Sequence, residues 1–146
     1  MTDLSSAKSC ELHVHPGGCL TAEDLLRLGR DIYTEVDWSL FTDAYEEAFG
    51  IRPDPVALFQ DALTDKPDGL EKFKEHYIFA EQDGGDFNRF QAKFNLIICL
   101  MRHLRNMRNK YVQAVRQVVN RHRQEGVDFV EYRCSCGEEE EERFHD

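Results

Sequence analysis

Cys10-Glu11-Leu12-His13-Val14-His15-Pro16-Gly17-Gly18-Cys19-Leu20 is the stretch on which a reading of this chain turns. Its first half alternates like a short strand. Successive strand residues face opposite sides, so His13 and His15 face one way and Leu12 and Val14 the other. The Pro16-Gly17-Gly18 turn ends the strand at once. Two imidazoles at that spacing suit one first-row metal ion and supply part of its ligand set. The alternative is a pair of strand-end histidines hydrogen-bonded to backbone. A catalytic zinc needs three protein ligands and a water, so the rest of the chain decides between them.

A second strand is predicted over Val127-Asp128-Phe129-Val130-Glu131-Tyr132-Arg133, where β-branched and aromatic residues alternate with charged ones. Helices fill the interval. Thr21 and Asp24 form a variant capping box, with Asp for the usual Glu or Gln, ahead of a helix over 22–28 that Gly29 stops. A helix with apolar Leu40, Phe41, Tyr45, Ala48 and Phe49 ends at Gly50. Pro53 and Pro55 precede a short helix carrying Val56, Leu58, Phe59 and Leu63, closed near Pro67. Leu70, Phe73, Tyr77 and Ile78 mark the next, which stops before the polar turn 82–85. Asp86 caps a helix whose apolar face holds Phe87, Phe90, Phe94, Ile97, Ile98 and Met101. The last helix spans about 107–125, with Met107, Tyr111, Val115, Val118 and Val119 on one side, and Gly126 ends it.

A strand, a long helical crossover and a second, parallel strand is the opening of an α/β fold. Two strands alone do not complete such a sheet, so the pattern looks unfinished.

The 146 residues, 41% hydrophobic and 32% charged, suit one globular domain with a true core. A formal net charge of -10 argues against nucleic acid as a partner. Residues 1–10 lack the apolar run of a signal peptide, and no segment is long and apolar enough to span a bilayer. Five cysteines without a regular spacing point to reduced thiols and a cytoplasmic location. The run Glu138–Glu142 predicts a solvated, disordered acidic tail over 138–146, which leaves 1–137 as the structured part.

Other metal-ligating residues are scattered. His76, His103, His122 and His145 fall on helices or in the tail without an acid at metal-binding spacing, and read as surface or partly buried histidines. Cys134 and Cys136 follow the second strand and make a composite Cys2His2 zinc site with His13 and His15 the rival to ordinary strand-end cysteines. Seven Lys or Arg residues between Arg102 and Arg123 offer either an anion-binding face or a solvated helix side that offsets acidic neighbours, and the second reading is preferred.

Three stretches together resemble the adenosine deaminase family of metal-dependent hydrolases. Glu-Leu-His-Val-His at 11–15, with Gly18 and Leu20, resembles that family's first-strand motif. Phe90-Gln91-Ala92-Lys93-Phe94 resembles its Phe-Leu-Ala-Lys-Phe helix, and Gly126–Arg133 its second strand. The resemblance implies an incomplete (β/α)8 TIM barrel made of the first two parallel strands and a long, mostly helical crossover. It implies His13 and His15 as zinc ligands, and Gly18, Phe90 and Phe94 as residues around a purine nucleoside or related aminopurine. Glu131 and Arg133 match structural second-strand positions. Gly17 stands where members usually carry Asp or Glu, and Gln91 where they carry leucine.

The third metal histidine and the proton-shuttling Glu of the family come after the second strand and have no counterpart here. A complete barrel of this type needs ~250 residues. The expectation is therefore the N-terminal portion of a hydrolytic deaminase, a truncation or fragment, with no catalytic residue of its own and no activity alone. Two alternatives are a non-catalytic relic that self-associates through unpaired strand edges and a small zinc-binding interaction protein.

Overall fold

A computed structural model describes residues 9–133. The termini at 1–8 and 134–146, and with them the expected acidic tail, Cys134, Cys136 and His145, lie outside the described residues. Strand β1 (Cys10–Val14) leads through a 3₁₀ turn (Pro16–Cys19) to α1 (Ala22–Gly29), α2 (Ser39–Phe49), α3 (Pro55–Leu63) and α4 (Gly69–Tyr77). A second 3₁₀ turn (Glu81–Asp83) precedes α5 (Phe87–Arg105), α6 (Arg108–Gln124) and β2 (Phe129–Tyr132).

Local chemistry sets these boundaries. Thr21 Oγ1 accepts from the Asp24 amide while the Asp24 carboxylate accepts from the Thr21 amide, so both free donors of the first turn are used. Asp54 and Asp86 cap α3 and α5 in the simpler way, each accepting amide hydrogen bonds from the first turn. Gly50, at φ 74°, closes α2 in the left-handed conformation that glycine adopts without strain. Gly29 has another reason to be glycine. A Cβ there would lie 2.5 Å from the Phe59 ring, so this last residue of α1 also lets α1 and α3 meet.

The core lies among the helices. Phe59 is fully buried, with Tyr33 stacked at 5.6 Å, Trp38 at 5.4 Å and Phe73 edge-on at 4.9 Å between ring centroids. Leu25, Phe41, Leu96, Leu100 and Leu104 join it without exposure. Burial of a single such side chain contributes on the order of 2 kcal/mol.

The expected incomplete (β/α)8 barrel is corrected here. The described residues form a small, mostly helical domain with one two-stranded parallel ladder, β1 beside β2. In a barrel the strands are the buried centre. Here every residue of β1 except Val14 is exposed, and Leu12 and Phe129 keep 65% and 57% of their surface. The helices bury one another, and the ladder sits at the edge of their core.

The ladder is also irregular. Cys10 pairs with Phe129, Glu11 with Val130 and Val14 with Tyr132, so Leu12 and His13 together face one residue. This is a β-bulge, and His13 takes the left-handed conformation at φ 70° within it.

Candidate functional site

The bulge changes how the two histidines relate. Simple alternation no longer connects positions 13 and 15, yet the rings lie edge to face with centroids 5.2 Å apart. Both side chains are exposed. They are neighbours without a third ligand among the described residues. Among the described residues no group of three or more His, Cys, Asp or Glu side chains is placed to hold a metal ion. The expectation of a zinc ion on His13 and His15 is therefore corrected: two solvated imidazoles fall short of the donor set that a zinc site requires.

The other histidines are engaged elsewhere. His76 stacks on Tyr45 at 5.0 Å, with Nδ1 2.7 Å from the Lys72 carbonyl oxygen. His103 lies 3.9 Å from Glu35, and His122 Nδ1 lies 2.7 Å from the Tyr132 hydroxyl.

The residues expected around an aminopurine do come together. Gly18, at the end of the first 3₁₀ turn, and Phe90 and Phe94, one helical turn apart on α5, line one cavity of about 490 Å³. A Cβ on Gly18 would lie 3.6 Å from the Phe94 ring, so turn and helix are in contact. Phe90 and Phe94 are stacked at 5.8 Å, and Phe79 meets Phe90 edge-on at 5.7 Å. Three rings thus form a partly solvated aromatic wall. Phe87, at 69% exposure, extends it outward at 6.1 Å from Phe90.

Several lining residues have no place in the quoted motifs. Tyr77 donates its hydroxyl to the Leu20 carbonyl at 2.5 Å, and burial, with the nearby Asp24 and Cys19, pushes its pKa up to about 12. The phenol therefore stays a neutral donor that ties α4 to the segment after the turn. At the rim, Lys74 Nζ lies 3.2 Å from Glu23 Oε1, which sets a cation and a carboxylate at the edge of the cavity. Only the amphipathic spacing of α4 announces Tyr77 and Lys74, and spacing says nothing about what they face.

Asp24 holds the turn against α6. Its carboxylate accepts from Arg121 at 2.5 Å, Arg27 at 2.6 Å and Gln117 at 2.7 Å, besides the Thr21 amide. Arg121 also donates to the Cys19 carbonyl at 2.6 Å. Burial would raise the Asp24 pKa, but Arg121 and both Thr21 bonds outweigh it and hold the carboxyl below its usual range. The variant capping residue is thereby explained, since it also binds the far end of the chain.

A second cavity of about 480 Å³ adjoins the first and shares Phe94 with it. His15, Pro16 and Gly17 form one wall, α5 from Ile97 to Arg105 another, and Arg133 closes the end beyond β2. His13 lines neither cavity. Arg133 pairs with Glu131 at 2.5 Å.

No family model, curated protein or solved structure matches this chain. No helix among the described residues is long and apolar enough to cross a membrane. Cys10, Cys19 and Cys99 are free thiols.

Proposed function

We propose that this chain is an adenosine-deaminase-like protein that binds an aminopurine, free or as its nucleoside, against the Phe90–Phe94 wall. The observation that carries the reading is the convergence of Gly18, Phe90 and Phe94 on one cavity from two distant segments. A purine offers a flat π-face, and stacking on an aromatic ring is worth about 1–3 kcal/mol per base. Glu23 and Lys74 at the rim supply an acceptor and a donor for the polar edge of such a ring. The parallel adjacency of β1 and β2, which bear the two strand motifs, is in keeping with the same resemblance. A cytoplasmic location accords with the three free thiols.

Deamination of an aminopurine replaces the amino group by attack of hydroxide and releases ammonia. It needs a group to activate water and a general acid or base beside it. The described lining contains no such pair, so the reading is one of binding without turnover by this chain.

Titration of the intact chain with adenosine and with adenine, followed by calorimetry, tests it. Saturable binding is expected, weakened about tenfold or more in Phe90→Ala/Phe94→Ala, as the loss of one stacking contact implies. Absence of binding, or binding unchanged by the double substitution, refutes the ligand class. Ammonia release above a blank would refute the absence of turnover.

One observation favours a second reading. Leu12 and Phe129 are exposed on a ladder whose outer edges pair with no further strand among the described residues, and open edges favour strand pairing between chains. Sedimentation at rising concentration tests it: self-association abolished by Leu12→Lys supports an interaction role, and a monomer at all concentrations removes it.

A further inference from the structure

The second cavity carries a chemistry that the aminopurine reading does not use. Arg102 and Arg105 on α5 and Arg133 after β2 all line it, with His15 opposite. No acidic one among the described residues lines it. That is against the run of this chain, in which 28 Asp and Glu outnumber 18 Lys and Arg. Two basic side chains of the neighbouring helix reach acids, Arg121 at Asp24 and Lys110 3.6 Å from Asp31, and within the cavity Arg133 keeps its pair with Glu131. Among the described residues Arg102 and Arg105 form no ion pair. No ion pair among the described residues thus offsets their mutual repulsion beside a concave, largely apolar surface made by Phe94, Ile97, Ile98 and Met101.

We propose that this cavity binds an organic oxyanion, with a phosphate or carboxylate head at Arg102, Arg105 and Arg133 and an apolar body against Phe94, Ile97 and Met101. Arginine presents a planar fork of donors that matches both kinds of head, and charge-assisted bonds of this type are about twice as strong as neutral ones. Its size falls within the usual range of ~300–1,000 Å³ for small-molecule sites. The site goes beyond the aminopurine reading and stands without it, because only Phe94 belongs to both cavities.

The test uses the full chain and four probes, phenyl phosphate, benzoate, inorganic phosphate and phenol, with binding followed through backbone amide shifts in NMR. Phenyl phosphate or benzoate is expected to shift amides of residues 97–105 and of Arg133. Whichever of the two binds more tightly identifies the head group. Inorganic phosphate, which lacks the body, and phenol, which lacks the charge, are each expected to bind about tenfold more weakly or worse. Arg102→Gln/Arg105→Gln alters exposed side chains and keeps the fold. It is expected to weaken the anion about tenfold or more while leaving adenosine binding unchanged. Phenol binding as tightly as the anions, or anion binding indifferent to the arginine substitutions, would overturn the proposal. So would binding that arises only after Glu138–Glu142 are replaced by glutamine, which would assign the arginines to the chain's own acidic run.

Discussion

The two sides of α5 are built from similar residues and do opposite things. One side, with Ala92, Leu96, Leu100 and Leu104, is wholly buried against neighbouring helices and forms dry core. The other, with Phe87, Phe90, Phe94 and Ile98, is as apolar yet stays partly open and walls two cavities. The difference teaches that apolar character in this helix reports surface that must meet something, without saying whether the partner is the fold or a ligand. The buried side also admits one cation. Lys93, with 4% side-chain exposure, donates to Asp83 at 2.7 Å and to the Ile78 carbonyl at 3.0 Å. Asp83 accepts in addition from the Ala80 amide at 2.8 Å.

The strongest way to break the buried side is to leave that cation alone. Asp83→Ala is expected to cost about 3–5 kcal/mol in denaturant unfolding, because Lys93 would stay buried without its counter-charge. The pair also predicts acid sensitivity. Burial would raise the Asp83 pKa, but Lys93 and the Ala80 amide outweigh it and hold the carboxyl below its usual range. A depressed carboxyl contributes stability that is present above its unfolded pKa of about 4 and is lost as pH falls through the folded value. Circular dichroism on acid titration checks this: Asp83→Asn should flatten the loss of stability below about pH 4.

Next in size is the core itself. Leu100→Ala opens a void in a fully buried site and is expected to cost about 3 kcal/mol, read as a fall in the urea midpoint. The opposite side should be nearly indifferent. Phe90→Ala removes a ring that is 39% exposed, and its expected cost is below about 1 kcal/mol, while aminopurine binding weakens markedly. A large stability loss there would mean that the aromatic wall belongs to the core after all, and the contrast between the two sides would fail.

Much of the chain's local order was legible. Capping by Thr21 and Asp86 and the stop at Gly50 depend on neighbours within four residues, so the residue types announce them, whereas the Asp54 cap was passed over beside Pro53 and Pro55. The open side of α5 was harder. Apolar residues run nearly around that helix, and the stripe Phe87-Phe90-Phe94 read as its packed face is the open one. Lys93 and Asn95, poor candidates by type, are buried instead, beside Ala92. The bulge at His13 was invisible, since it arises from pairing with a strand more than a hundred residues away. The barrel expectation failed for a related cause: alternation foretells strands, but only tertiary packing decides whether they form the core or border it. Gly18, Phe90 and Phe94 were grouped because the resemblance named them, and they line one cavity, whereas Tyr77 and the arginine-lined cavity beyond Phe94 required the folded arrangement.

The ladder between β1 and β2 has a consequence for the order in which the molecule assembles and opens. Ser9 accepts from the Asp128 amide at 2.9 Å and Val14 from the Arg133 amide at 2.8 Å, so the two ends of the described chain are laced together. Such contacts repay loop closure only after the intervening helices have condensed. The helical core is then expected to form first and the ladder to join it last. In hydrogen exchange the amides of Leu12–Val14 and Val130–Tyr132 should lose protection together, well before those of Leu96–Leu104. Opening the ladder would move His15 and Arg133, on either side of the second cavity, before any core helix has loosened. The part of the fold expected to open first thus borders the second cavity.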